Sequence, residues 1–189
     1  MTGETLRCFL GLPIPAVEVL LKAATAASAK TGCFRFTDPK LWHLTLAFMP
    51  ALPRDSISEL ITLWSGVFTT TPTIQTSITR LGAFPSSDQP EVIWWGLNPD
   101  ESIRALHAAL RPWLPKDIDD RFHPHVTIAR VNRNQPDHHK REFFASISKL
   151  PFETVPLTLS TVCLYESTLT QAGPRYAILE RWTLSDSNC

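Results

Sequence analysis

Two short stretches hold the residue types with chemistry in them. "LWHLTLAF" carries His43 and Thr45, and "FHPHVTIAR" repeats the arrangement with His125 and Thr127. A His followed two positions later by a Thr is ordinary in a chain with six His. These copies also share apolar residues on both sides of the Thr and an Ala after them, Ala47 and Ala129, which composition alone does not readily produce. Alternate side chains of a strand share a face. Strict alternation predicts His43, Thr45 and Ala47 on one face, with Leu44, Leu46 and Phe48 on the other. In the second copy His125, Thr127 and Ala129 oppose Val126 and Ile128. The small Ala side chains leave the polar face open.

Two imidazoles and two hydroxyls facing one cleft suit phosphoryl chemistry. A neutral His takes a proton from an attacking oxygen while a protonated His gives one to the leaving oxygen. Hydroxyls are short neutral donors to non-bridging phosphate oxygens. The scheme calls for no metal and no cofactor, and a strained 2′,3′-cyclic phosphodiester is a natural substrate.

Lesser candidates surround this set. Arg130 closes the second strand and could add charge for a phosphate, although alternation places it opposite His125. His123 shares parity with His125. Phe48, Trp94 and Trp95 could stack a base, but aromatics in strands more often belong to a core. His138 and His139 sit in a polar helix start. A rival enzyme reading takes His123 and His125 as a metal pair, yet no further ligand follows at a recognisable spacing. A rival from another class is an RNA-end binding module without catalysis.

The rest of the chain must position these strands. Its 189 residues suit one large domain or two small lobes. Eighteen basic residues balance eighteen acidic ones, so no global field grips a long nucleic acid and any anion site must be local. Four scattered cysteines make no C-x-x-C pair. Pro13, Pro15 and Glu18 interrupt the first apolar stretch, and no basic head precedes it, so a cytoplasmic protein without a membrane span is expected.

"RCFLGL" reads as a strand, residues 16–29 as a helix, and "LWHLTLAF" as the next strand. A helix through "ISELITLW" leads to a hairpin of "TIQTSITRLGAF" and "EVIWWGL". The second half repeats the order: helix "ESIRALHAALRPWL", strand "HPHVTIAR", helix "DHHKREFFASISKL", then a hairpin of "VPLTLSTVCLYES" and "RYAILERWTL". His43 lies 31 residues before Ile74, and His125 lies 30 before Val155, where the two hairpins open. This predicts one two-lobed domain over residues 1–189, with pseudo-symmetric halves at 1–99 and 100–189 and matched residues facing a shared cleft.

The paired H-x-T-x tetrapeptides resemble the signature of the two-histidine phosphoesterases. With "RCFLGLPIP", "LGAFPS", "VIWWGL" and "YESTLTQAGPRYAIL" in order, the chain resembles over nearly its full length the RNA 2′,3′-cyclic phosphodiesterases, or 2′-5′ RNA ligases. It departs from them at "LAFMP", where they usually carry a Gly a little further on. The resemblance implies an α/β (α+β) bilobal fold of two mainly antiparallel sheets, helices outside and a central cleft. It also implies metal-independent hydrolysis of RNA cyclic phosphate ends to 2′-phosphomonoesters, with 2′-5′ ligation as the reverse activity. His43 is then the proton donor and His125 the acceptor, in a protein expected to be a monomer.

Overall fold

The structure, a computed structural model, describes residues 4–29, 33–114, 122–132, 134–171 and 173–186. The chain opens with strand β1 (Thr5–Pro13), helix α1 (Glu18–Ser28), and the short strand β2 (Phe34–Phe36). Next come the first motif strand β3 (His43–Pro53), helix α2 (Ile57–Thr70), and the hairpin of β4 (Ile74–Pro85) and β5 (Pro90–Leu97). Helix α3 (Glu101–Leu110), the second motif strand β6 (His125–Val131) and helix α4 (Asp137–Ile147) follow. The described chain ends with β7 (Val155–Leu159), β8 (Thr161–Thr170) and β9 (Gly173–Thr183).

Local sequence explains the helices. In α3 the buried residues are Ile103, Leu106, His107 and Leu110, and in α4 they are Lys140, Phe143, Phe144 and Ile147. Both sets fall at i, i+3, i+4 and i+7, one stripe of a 3.6-residue period. Lys140 is tolerated in that stripe because its ammonium meets Glu91 and, at 2.8 Å, Asp137. Helix α2 is pinned to β9: Phe68 packs 4.8 Å from Trp182, whose indole N–H donates to Ser65 Oγ at 2.7 Å.

All strand pairs are antiparallel, in the order β7-β4-β5-β6-β3-β1-β8-β9, with β2 added to β6. Two expectations change here. The strands form one nine-stranded sheet rather than two, although its arms meet through a single residue pair, Leu44 opposite Val126. The sheet is not divided at residue 99, because the β4–β5 hairpin of the first half builds onto β6, and β8–β9 of the second half builds onto β1 and β3. Each arm therefore draws on both halves of the chain, and the two motif strands are neighbours at the centre.

The run "VPLTLSTVCLYES" is two strands, with only Ser160 between β7 and β8. β7 lies at one end of the strand order and β8 near the other, so the sheet must curl to bring its arms together. The backbone bonds from Leu184 N–H to the Ser160 carbonyl (2.8 Å) and from Thr73 N–H to the Ser185 carbonyl (2.8 Å) close that curl. β2 was not foreseen: three residues are too few to show alternation.

Candidate active site

β3 and β6 share a burial pattern over their first six residues: half-buried, buried, half-buried, buried, buried, exposed. Strict alternation would give something else, and the ladders show why. Leu10 pairs with Ala47 and Gly11 with Thr45, leaving Leu46 unpaired; Ile93 pairs with Ala129 and Trp94 with Thr127, leaving Ile128 unpaired. Each motif strand thus carries a β-bulge just after its Thr, where two residues oppose one.

The bulges reverse the parity beyond them. Ala47 and Ala129, expected on the cleft face, are buried at 3% and 0% exposure. Phe48 and Arg130, expected on the opposite face, line the cleft instead. Each bulge frees a carbonyl from the ladder, and both find donors. His107 Nδ1 donates to the Leu46 carbonyl at 2.8 Å, and Thr37 N–H donates to the Ile128 carbonyl at 2.8 Å.

The cleft measures about 550 Å³ and gathers His43, Thr45, His125 and Thr127 with Phe48 and Arg130. Sequence reasoning missed Arg7, Phe9, Arg35, Ser167 and Tyr176, which also line it. Arg7 and Phe9 had a readable signal, alternate positions on the first strand. Arg35 and Tyr176 had none.

Both imidazoles are held the same way. His43 Nδ1 lies 2.7 Å from the Leu41 carbonyl, and His125 Nδ1 lies 2.7 Å from the His123 carbonyl. A carbonyl only accepts, so each Nδ1 carries a hydrogen and each Nε2 is left for chemistry. The tether holds whether Nε2 is protonated or not. The first carbonyl belongs to a 3-10 turn, Pro39–Leu41, started by Asp38 Oδ1 accepting the Lys40 N–H at 2.9 Å. The segment that carries the second is tied to α3: Arg104, paired with Asp100 at 2.8 Å, donates to the carbonyl of the preceding residue, Phe122, at 3.0 Å.

Aromatic rings pack behind the histidines. Phe9 stacks on His43, centroids 4.6 Å apart at 30°, and Tyr176 meets it edge-on at 5.4 Å. Phe84 stands perpendicular to His125 at 5.0 Å. Burial lowers the pKa of both histidines below the usual 6.5 despite the carbonyl bonds. Arg130 lowers both further, and each also has an imidazole neighbour acting the same way, His125 on His43 and His123 on His125. The Thr45 and Thr127 hydroxyls make no hydrogen bond within the described residues and remain open to a ligand.

The remaining candidates fall elsewhere. Trp94 is only 7% exposed and packs against Phe84 (5.0 Å), His123 (4.9 Å) and Gly82, so it backs His125 and offers no face to a base. Trp95 is core, edge-on to Trp42 at 5.0 Å. His123 is turned toward Phe84 and Trp94 with its Nε2 buried, away from the cleft. Among the described residues no three His, Cys, Asp or Glu side chains gather as metal ligands, so the His123–His125 pair is not joined by others. His138 and His139 are exposed at the start of α4. No helix among the described residues is long and apolar enough to cross a membrane.

Several proteins resemble this chain in sequence or in fold. A Thermotoga maritima protein named RNA 2′,3′-cyclic phosphodiesterase is 28% identical over 140 residues, 72% of each chain. A Methanocaldococcus jannaschii protein of the same name is 22% identical, covering 94% of this chain and all of that one. Among solved structures, TT0787 of Thermus thermophilus superposes with a TM-score of 0.76 at 21% identity, over 97% of this chain and 100% of that one. E. coli LigT complexed with 3′-AMP gives 0.71 at 21% identity, with the same coverage. The sequence pattern of one family runs from residue 35 to residue 171, through both His-x-Thr strands and everything between them, and it places this chain in the 2′-5′ RNA ligase superfamily.

Proposed function

We propose that the protein hydrolyses RNA 2′,3′-cyclic phosphodiester ends to 2′-phosphomonoesters, using His43 and His125 as a metal-independent acid–base pair. The observation that carries the reading is the matched pair of Nδ1-tethered imidazoles in one cleft, each with a Thr hydroxyl two residues on. Relatives named RNA 2′,3′-cyclic phosphodiesterase support the substrate class.

In the reaction, His125 Nε2 takes a proton from water as the water oxygen attacks phosphorus. The bond to the 3′ oxygen breaks, and His43 Nε2 gives that oxygen its proton. The phosphate stays on the 2′ oxygen. Thr45, Thr127 and Arg130 hold the non-bridging oxygens, where charge builds in the transition state. Stacking of His43 on Phe9 supports its role as the acid, because a π face under an imidazole favours its cationic form. Phe48, 38% exposed with the Arg7 guanidinium 4.5 Å above its ring, supplies an aromatic surface for the terminal base. A 5′-hydroxyl in place of water, with the same proton transfers, makes a 2′-5′ linkage without ATP.

The protein works as one domain and as a monomer, since both motif strands come from one chain. The free, buried Cys8, Cys33 and Cys163 support a reducing, cytoplasmic setting. The test is to incubate the protein with a nucleoside 2′,3′-cyclic phosphate in excess chelator and resolve the product against authentic 2′ and 3′ monoesters. The 2′ monoester is expected. A 3′ monoester, or activity lost in chelator and restored by zinc, overturns the mechanism.

A further inference from the structure

The cleft holds more positive charge than one phosphodiester needs. Arg35 on β2 stands directly across from Arg130 on β6, and both line the cleft. Like charges directly opposite on neighbouring strands are destabilising. Arg7 lines the same cleft and donates to Ser167 Oγ. None of these three guanidiniums has an ion-pair partner among the described residues. Asp38 is the one carboxylate among the described lining residues, and its Oδ1 already accepts the Lys40 N–H. Burial, and after it the Arg7 and Arg35 charges, disfavour the charge on Arg130, whereas a bound anion would favour it. A 2′,3′-cyclic diester carries one negative charge, and Arg130 with the protonated His43 already answers it. Arg35 is left over, one strand further from the motif.

We propose that Arg35, set against Arg130, forms a second phosphate subsite that takes the phosphate on the 5′ oxygen of the terminal nucleoside. The inference rests on the phosphodiesterase reading above and extends it to a substrate class: a nucleotide or oligonucleotide end carrying two phosphates, preferred over a nucleoside cyclic phosphate. In an RNA chain the next phosphate lies one ribose from the cyclic one. The cleft, at about 550 Å³, has room for a nucleotide and this second group. The pseudo-symmetry makes the asymmetry legible. Phe48 and Arg130 occupy equivalent places after the two bulges, so one flank of the cleft is aromatic and the other cationic.

The test compares adenosine 2′,3′-cyclic phosphate with its 5′-phosphorylated counterpart, in wild type and in Arg35→Gln. The 5′-phosphate is expected to raise kcat/KM about tenfold or more, chiefly through KM, with the gain shrinking as salt is added. Arg35→Gln should erase that gain, leave the unphosphorylated substrate within about twofold of wild type, and keep the wild-type melting temperature or raise it. Equal losses on both substrates, or no gain from the 5′-phosphate in wild type, overturn the proposal. Titration calorimetry with adenosine 2′,5′-bisphosphate against adenosine 2′-monophosphate tests the subsite without turnover. Bisphosphate preference lost in Arg35→Gln with neither cyclic substrate hydrolysed would keep the subsite and sink the phosphodiesterase reading. Hydrolysis without bisphosphate preference would do the reverse.

Discussion

His107 is buried in α3, takes no part in the chemistry, and yet touches both motifs. Its Nδ1 donates to the carbonyl of Leu46, the unpaired residue of the β3 bulge, and its ring lies 3.9 Å from Phe122 at 5°, just before β6. Replacing it with Phe keeps a flat ring for the stack and removes the donor. The Leu46 carbonyl, in a residue 1% exposed, then has no donor from the ladder or from α3. Leaving a buried acceptor unsatisfied costs about 1–3 kcal/mol. For a chain of this size each kcal/mol shifts the melting temperature by about 2–4 °C, so His107→Phe should melt several degrees below wild type.

Function should respond in a particular way. His43 and Thr45 precede the bulge, while Phe48, which follows it, owes its place in the cleft to the bulge. His107→Phe should therefore raise KM for a nucleoside cyclic phosphate more than it lowers kcat. In a Phe48→Ala background, it should add little further loss of kcat/KM, because both changes remove the same contact. His107→Asn, which offers an amide N–H near the Nδ1 position, should recover most of the KM effect while losing the stack. A His107→Phe variant with wild-type melting and wild-type KM would refute the idea that this bond holds the bulge.

Other outcomes follow from the site. His43→Ala and His125→Ala should each cost several orders of magnitude in kcat, and the double variant should be little worse, as residues acting as a unit are non-additive; near-normal turnover in either single variant refutes the pair. Thr45→Val and Thr127→Val keep shape and remove a donor, so kcat/KM should fall by roughly 1.5–4 kcal/mol of transition-state stabilisation, read by steady-state kinetics. Both pKa values are lowered, so in the free enzyme His125 is already neutral near pH 6.5 and His43 is losing its required proton there. The kcat/KM profile should be a bell with its optimum below 6.5 and an alkaline limb falling about tenfold per pH unit; a plateau reaching pH 8 contradicts the assignment. Gly82→Ala would place a Cβ 2.3 Å from the Trp94 ring that backs His125, so melting temperature and kcat should fall together.

The two motif strands were legible because their pattern is local. Alternation from His43 to Thr45 and from His125 to Thr127 holds in the structure, as do the four helices and the long strands around them. What lay beyond each Thr was not legible, since a bulge inserts one residue without any sequence mark. Its determinants are distant: a His 61 residues away for Leu46, and a backbone N–H from a separate segment for Ile128. Alternation consequently misplaced Ala47, Phe48, Ala129 and Arg130 together, one error made twice. The exchange of hairpins between arms was hidden for a similar reason, because the order of elements along a chain does not state which strand pairs with which.

That exchange bears on how the site keeps its geometry. If each half of the chain had folded as its own lobe, β3 and β6 would have met only as two surfaces docking, through the single pair Leu44–Val126. Instead β4 and β5, from the first half, brace β6, while β8, from the second half, braces β1 beside β3. Moving one arm against the other then requires pulling at the covalent connections β3–α2–β4 and β7–Ser160–β8, which cross between the arms. The closing bonds from Thr73 to Ser185 and from Leu184 to Ser160 resist the same motion at the far ends. Two imidazoles on different strands can thus keep a fixed place in one cleft although the ladder joining those strands is so short. The rigidity resides in the chain's crossings, and a cut in the α2–β4 connection near Thr71 should loosen the histidine pair before it unfolds either arm. Limited proteolysis there, followed by turnover and far-ultraviolet circular dichroism, measures this: activity should drop while strand content persists. Full activity in the nicked protein would show that the sheet seam alone suffices.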